Sequence, residues 1–273
     1  MGASRFDRIE WSDSDVRVGD VVFDLASAET ARPDDLTATR PRLIKDELLL
    51  ADYERVFGPA DLADRPRMFE LGLWDGASAI FWSELLDPAV YIGIDLDERG
   101  DSDVLKRYVT EHDRIVTRWG VSQTDRAVLC DLVHKYEATP LDLVVDDASH
   151  LYGPTKASFE ILFPLLRPGG LYLIEDWAWD HWHEYASPEH PWAFETPPTQ
   201  LVCELVAVAG GNRDVIQDLT VLAGLVAVTR GPAELDESFS LDDVVTHRSA
   251  PSTSDRLRRL GRRAKRKVLK PPP

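Results

Sequence analysis

Cysteine is nearly missing from this chain of 273 residues, with only Cys130 and Cys203 present. Two thiols cannot build a disulfide framework or a zinc cluster, and such sparing use fits a reducing, cytoplasmic compartment. Long apolar runs are missing as well. None approaches the ~20 residues a membrane-spanning helix needs, and the opening MGASRFDRIEWSDSD lacks the apolar segment of a secretory signal. Basic residues are few, 31 Lys and Arg against 48 Asp and Glu, for a net charge of −17. Nine of the 31 lie in 256–273, so residues 1–255 hold 22 against 48, a net of −26. A body that acidic repels phosphate backbones, and no nucleic-acid partner is expected outside the tail.

What is present is enough for a large core. The chain is 44% hydrophobic, and its length allows one large α/β domain or two small ones. Residues 1–66 are rich in Asp, Arg and Pro and contain one helical stretch, PRLIKDELLLADYERVF, with apolar residues at 3–4 spacing. They are expected to form a helical or irregular N-terminal extension. From residue 67 strand-like and helical runs alternate, from RMFELG through LDLVVDD and GLYLIED to VIQDLTVL and LVAVTRG. That alternation predicts a doubly wound, mostly parallel sheet over 67–231. The last two strands have no helix between them, which predicts an antiparallel hairpin at one edge. Residues 232–255 read as a polar linker and 256–273 as a basic tail.

Ligands in such folds sit beyond the C-terminal ends of the strands. The first strand ends in Glu70-Leu71-Gly72-Leu73-Trp74-Asp75-Gly76-Ala77-Ser78. Gly72 and Gly76 let the backbone turn tightly under a ligand. The spacing is neither the G-x-G-x-x-G of dinucleotide sites nor a P-loop, since no Gly-Lys-Ser/Thr follows. The next strand ends in Asp95, where a carboxylate can accept hydrogen bonds from both ribose hydroxyls.

This combination resembles the S-adenosylmethionine (SAM) half of class I methyltransferases, over roughly residues 67–230. The resemblance implies a Rossmann-like fold with a seven-stranded, mostly parallel sheet. It places the E/D-x-G-x-x-x-G motif on Glu70, Gly72 and Gly76 and the ribose ligand on Asp95, and Gly120–Asp125 resembles the adenine-contacting segment. The full set of expected cofactor contacts is Glu70, Gly72, Gly76, Ser78, Asp95, Ser122, Gln123 and Asp146.

The fourth strand runs into Asp146-Asp147-Ala148-Ser149-His150 and the fifth into Glu175-Asp176-Trp177. In the class I methyltransferase sheet that the chain resembles these two strands are neighbours, and paired strands lie about 4.8 Å apart, so several carboxylates converge at one rim. Such carboxylates repel unless a hard cation with oxygen ligands neutralises them. Asp147, Glu175 and Asp176 are the expected Mg²⁺ ligands. His150, three residues after Asp147, is the expected general base. The pattern D-D-x-S-H, helix, R-P-G-G, strand, E-D resembles the metal-dependent sugar O-methyltransferases of the mycinamicin and macrocin type. That resemblance implies the same four roles and a sugar hydroxyl of a glycoside, glycolipid or oligosaccharide as acceptor. A phenolic or catechol acceptor uses the same metal logic, and a non-catalytic SAM-binding regulator would not require the His150 constellation.

Trp177, Trp179, Trp182, Tyr185, Trp192 and Phe194 crowd one segment, and aromatic faces suit stacking on a sugar ring. About half of them are expected to reach the acceptor. His181, His183 and His190 lie there too, without a convincing zinc spacing. The tail, DRLRRLGRRAKRKVLK, has the pattern of a basic amphipathic helix, which suits three competing uses: peripheral contact with an anionic membrane, nucleic-acid binding, or docking on the protein's own acidic surface. A homo-oligomer is expected.

Overall fold

The computed structural model describes residues 4–27, 38–185, 187–190 and 192–245. The basic tail lies outside them. The chain begins with three short strands, β1 (Ile9–Trp11), β2 (Asp15–Val18) and β3 (Val21–Leu25), and β4 (Arg42–Leu43) completes a four-stranded sheet in the order β1-β2-β3-β4. Helix α1 (Glu47–Phe57) follows, capped by Asp46, whose carboxylate accepts from the Leu49 N–H at 2.7 Å. The helix expected in residues 1–66 is there, shorter than its apolar pattern. The small sheet is a finding that the Asp- and Arg-rich texture concealed. Its strands alternate weakly, and only Val16, Val18, Phe23 and Leu43 are buried.

The main domain alternates strand and helix: β5 (Arg67–Leu71), α2 (Ala77–Leu86), β6 (Val90–Asp95), α3 (Asp103–Glu111), β7 (Ile115–Trp119), α4 (Arg126–Lys135), β8 (Leu141–Asp146), α5 (Tyr152–Leu162) and β9 (Leu166–Glu175). Then come α6 (Thr199–Gly211), β10 (Ile216–Val221), β11 (Leu225–Arg230) and a short α7 (Leu241–Val244). The seven strands are ordered β10-β11-β9-β8-β5-β6-β7, and β11 alone runs against its neighbours. The expected parallel sheet and C-terminal hairpin are both present. Strand β8 is buried along its whole length, as its continuous apolar run requires when helices cover both faces. The order reverses between β5 and β8, and a ligand crevice forms outside such a point.

The supposed linker after residue 231 is in part a docked segment. Phe239 and Leu241 are buried in the main core, Glu160 accepts from the Leu241 N–H at 2.8 Å, and Arg126 donates to the Glu237 carbonyl at 2.9 Å. Two apolar residues among many polar ones suffice to anchor it.

Candidate active site

A cavity of about 1210 Å³ opens at the C-terminal ends of β5, β6, β8 and β9, partly roofed by the segment Arg42–Asp52. At one end lies the loop after β5. Gly72 has φ 93°, and a Cβ there would meet the Asp147 carbonyl oxygen at 2.0 Å. Only glycine lets the ends of β5 and β8 pass so closely. Asp95, at the end of β6, holds this loop from below: Oδ2 accepts from the Leu73 and Trp74 N–H groups, both at 2.9 Å, and Oδ1 from Asp97 N–H at 2.8 Å. The two amides fill Oδ2, and Oδ1 keeps one lone pair for a ligand hydroxyl. Asp95, Gly72, Ser78, Ser122 and Gln123 all line the cavity.

Three expected cofactor contacts, Glu70, Gly76 and Asp146, do not line it. Glu70 is fully buried beneath the loop and accepts from Ser78 Oγ at 3.0 Å, Trp82 Nε1 at 2.9 Å and the Tyr91 hydroxyl. Asp146 is buried behind β8 and accepts from Ser158 Oγ at 2.6 Å and Tyr172 OH at 2.8 Å. Strand alternation is the reason: where Asp147 faces the cavity, Asp146 faces the core. Burial raises both carboxyls, Glu70 to about 7 and Asp146 to about 6. Gln123 bridges the two layers. It accepts from the Ser149 N–H at 3.1 Å and donates to Ser158 Oγ at 3.2 Å and Asp146 Oδ1 at 3.3 Å. Gly76, at φ 83°, starts α2, and a Cβ there would meet Leu105 Cδ2 at 2.3 Å.

At the other end, Asp147, His150 and Asp176 each bring one ligand atom to within 4.8 Å of the others. His150 Nε2 lies 3.8 Å from Asp147 Oδ1. Two carboxylates and an imidazole at this separation suit a hard divalent cation that keeps several waters. His150 and Asp176 have φ 52° and 50°, and Trp74, across the cavity, has φ 57°. Left-handed backbone at residues with a Cβ is strained and tends to gather at working sites. The His150 carbonyl accepts from Trp179 Nε1 at 2.7 Å, and the Asp176 N–H donates to the Gly224 carbonyl at 3.2 Å.

Glu175 departs from expectation. Its oxygens lie 2.6 and 2.8 Å from Lys45 Nζ, and the Tyr53 hydroxyl also donates to it. Lys45 lies 2.9 Å from Asp147 Oδ2 as well. Burial, then the charge of Asp147, pushes the Glu175 carboxyl up, and the same two causes raise Asp176. Lys45 stays protonated because Asp147 and Glu175 together outweigh its burial. Sequence reasoning missed Lys45 and Tyr53. Lys45 and Glu175 are 130 positions apart, and no spacing pattern links them.

Four of the six aromatic residues line the cavity: Trp179, Trp182, Tyr185 and Trp192. They pack on one another, with Trp179 and Trp192 edge-to-face at 5.1 Å. Trp177 turns away and donates to the Leu222 carbonyl at 2.9 Å, while Phe194 is exposed. His181, His183 and His190 form no metal-ligand cluster among the described residues.

Sheet order, with its seven strands and antiparallel edge, is that of the class I methyltransferase fold. Residues 69–177 match the family model described as a methyltransferase domain. Demethylmacrocin O-methyltransferase of Streptomyces fradiae is 31% identical over 147 residues, 51% of this chain and 34% of that protein. Mycinamicin VI 2''-O-methyltransferase of Micromonospora griseorubida is 30% identical over 132 residues, 46% of this chain and 30% of that protein. Among solved structures, MycE methyltransferase of the mycinamycin pathway, in complex with Mg, SAH and mycinamycin VI, is 27% identical with a TM-score of 0.51. That match covers 66% of this chain and 49% of MycE. The chain thus spans about a third of the length of these curated relatives.

Proposed function

We propose that this protein transfers the methyl group of SAM to a sugar hydroxyl of a glycoside, glycolipid or oligosaccharide, with a divalent cation such as Mg²⁺ at the Asp147–Asp176 rim. One observation carries the reading: a single cavity joins the glycine loop and Asp95 to the Asp147, His150 and Asp176 cluster. The sugar O-methyltransferases among the relatives, and the Mg and SAH bound by MycE, support it.

Asp95 and the loop after β5 would hold the cofactor's ribose, with its methyl directed along the cavity. Trp179, Trp182, Tyr185 and Trp192 would stack on the acceptor and exclude water from it. Asp147 and Asp176 would hold the cation. When bound, the cation lowers the pKa of the acceptor hydroxyl and fixes its line of approach. His150, beside Asp147, would take the hydroxyl proton at Nε2. No residue is needed as an acid, because a sulfonium that loses its methyl becomes a neutral thioether.

The test is methyl transfer from labelled SAM to a panel of glycosides and catechols, with and without EDTA. Transfer to glycosides that stops in EDTA and returns with Mg²⁺ is the expected result. Transfer confined to catechols would reassign the acceptor, and full activity in EDTA would remove the cation from the mechanism. Replacing His150 by Ala should slow transfer ~10²–10⁴-fold while SAM still binds in a calorimetric titration. A variant of undiminished rate would move the base elsewhere.

A further inference from the structure

His150 makes one hydrogen bond among the described residues, and Trp179 supplies it: the indole Nε1–H donates to the His150 carbonyl at 2.7 Å. The imidazole itself is not tied. Its Nε2 stands 3.8 Å from Asp147 Oδ1, too far for a hydrogen bond, and its ring lies 6.3 Å from that of Trp192. A histidine base is commonly oriented by a hydrogen bond to its other ring nitrogen. Here the backbone has to set the ring's place, and that backbone is strained. A φ of 52° at a residue with a Cβ persists only where its surroundings hold it. Ser149 N–H donates to Gln123 Oε1 at 3.1 Å and Tyr152 N–H to the Thr196 carbonyl at 2.8 Å, but neither bond reaches His150.

Trp179 is itself firmly held. It is buried, packed edge-to-face on Trp192 at 5.1 Å and tilted against Tyr185 at 5.7 Å. Two residues before it, Trp177 donates to the Leu222 carbonyl, and Thr199 Oγ1 donates to the Trp177 carbonyl at 3.2 Å. The Trp179 side chain also lines the cavity in which the acceptor is expected. One rigid side chain therefore meets the acceptor space with its ring and the base with its N–H.

We infer that Trp179 is a positioning residue for the base: its indole N–H fixes the His150 backbone and, through it, the place of Nε2 at the acceptor hydroxyl. The inference rests on the reading of His150 as base given above. Without the N–H the strained turn can relax, and a misplacement of about 1 Å at a reacting group can cost ~10²-fold in rate.

The test is a double-mutant cycle on the full chain, with labelled SAM and an acceptor that the wild type methylates in the panel above. Trp179→Phe keeps an aromatic face in the cavity wall and deletes the donor. It should lower kcat at least about tenfold, with the acceptor KM within about threefold and SAM affinity unchanged in a calorimetric titration. In a His150→Ala background the same change should lower kcat less than about twofold, because the group it positions is gone. A purely structural or stacking role predicts equal losses in both backgrounds. Equal losses, or an undiminished kcat in Trp179→Phe, would overturn the inference and leave the sugar-methylation reading intact. A His150→Ala variant of full rate would remove both the base and its positioning residue. A wild type that methylates neither glycosides nor catechols would overturn the reading and the inference together. Thermal melts show which variants fold. Should Trp179→Phe fail to fold, Trp179→benzothienylalanine, with sulfur in place of the N–H and the ring shape kept, decides by the same cycle.

Discussion

Glu70, the acid of the glycine-loop motif, is a buried hub. Three donors, Ser78, Trp82 and Tyr91, converge on a carboxylate with no solvent access. Burial raises its pKa from 4.5 to about 7, against the opposing charge of Lys45 and the hydrogen bond from Tyr91. The folded state therefore binds this proton more tightly than the unfolded chain does. The stabilisation is complete below the unfolded pKa and is lost as pH rises through the folded one. Glu70→Gln, which cannot ionise, should flatten the fall in melting temperature between about pH 5 and pH 8. An unchanged fall would transfer the effect to another buried carboxyl, with Asp146 the first to examine. Asp95 likewise has a double part. It holds the Leu73 and Trp74 amides while facing the cavity, so Asp95→Ala should loosen the loop as well as weaken SAM binding.

The N-terminal sheet packs on α2, which is itself apolar nearly all round. Phe23 meets Phe81 edge-to-face at 6.2 Å, and Trp82 lies between Phe81 and Tyr53 with ring centroids 4.9 Å from each. All five side chains of the group Val16, Val18, Phe23, Phe81 and Trp82 are fully buried. The sheet is thus part of the core rather than an appendage. Phe23→Ala should cost about 3–5 kcal/mol in denaturant unfolding, the usual range for a buried phenylalanine. A loss under about 1 kcal/mol would show that the small sheet is separable from the domain. Because α1 follows this sheet and carries Tyr53 to Glu175, the same packing reaches the Asp147–Asp176 end of the cavity.

Among the described residues, the cavity lining ends at Gly224 and the docked segment at Leu241 to Val244. Removing 256–273 should leave methyl transfer to a soluble acceptor unchanged. Removing everything after 231 should cost about 1.5–3 kcal/mol for each of the buried Phe239 and Leu241. Equal melting curves for the two truncations would refute that contrast. If the tail serves membrane contact, its removal should abolish binding to anionic vesicles at low salt, and added salt should do the same to the intact protein.

Periodicity alone determined the mostly parallel sheet and its hairpin edge, because apolar runs of strand length and the helices between them are local features. The resemblance to class I methyltransferases, carried by glycines and by polar residues immediately after the strands, supplied the adjacency of the strands that bear Asp147, His150 and Asp176. Local patterns also named Glu70, Asp146 and Glu175, but not which way their side chains point or what meets them there. Those answers depended on strand register and on contacts over long sequence separations. Lys45 reaches Glu175 only because the small sheet docks on α2 and aims α1 at the rim, and a contact between residues 130 positions apart leaves no trace in spacing.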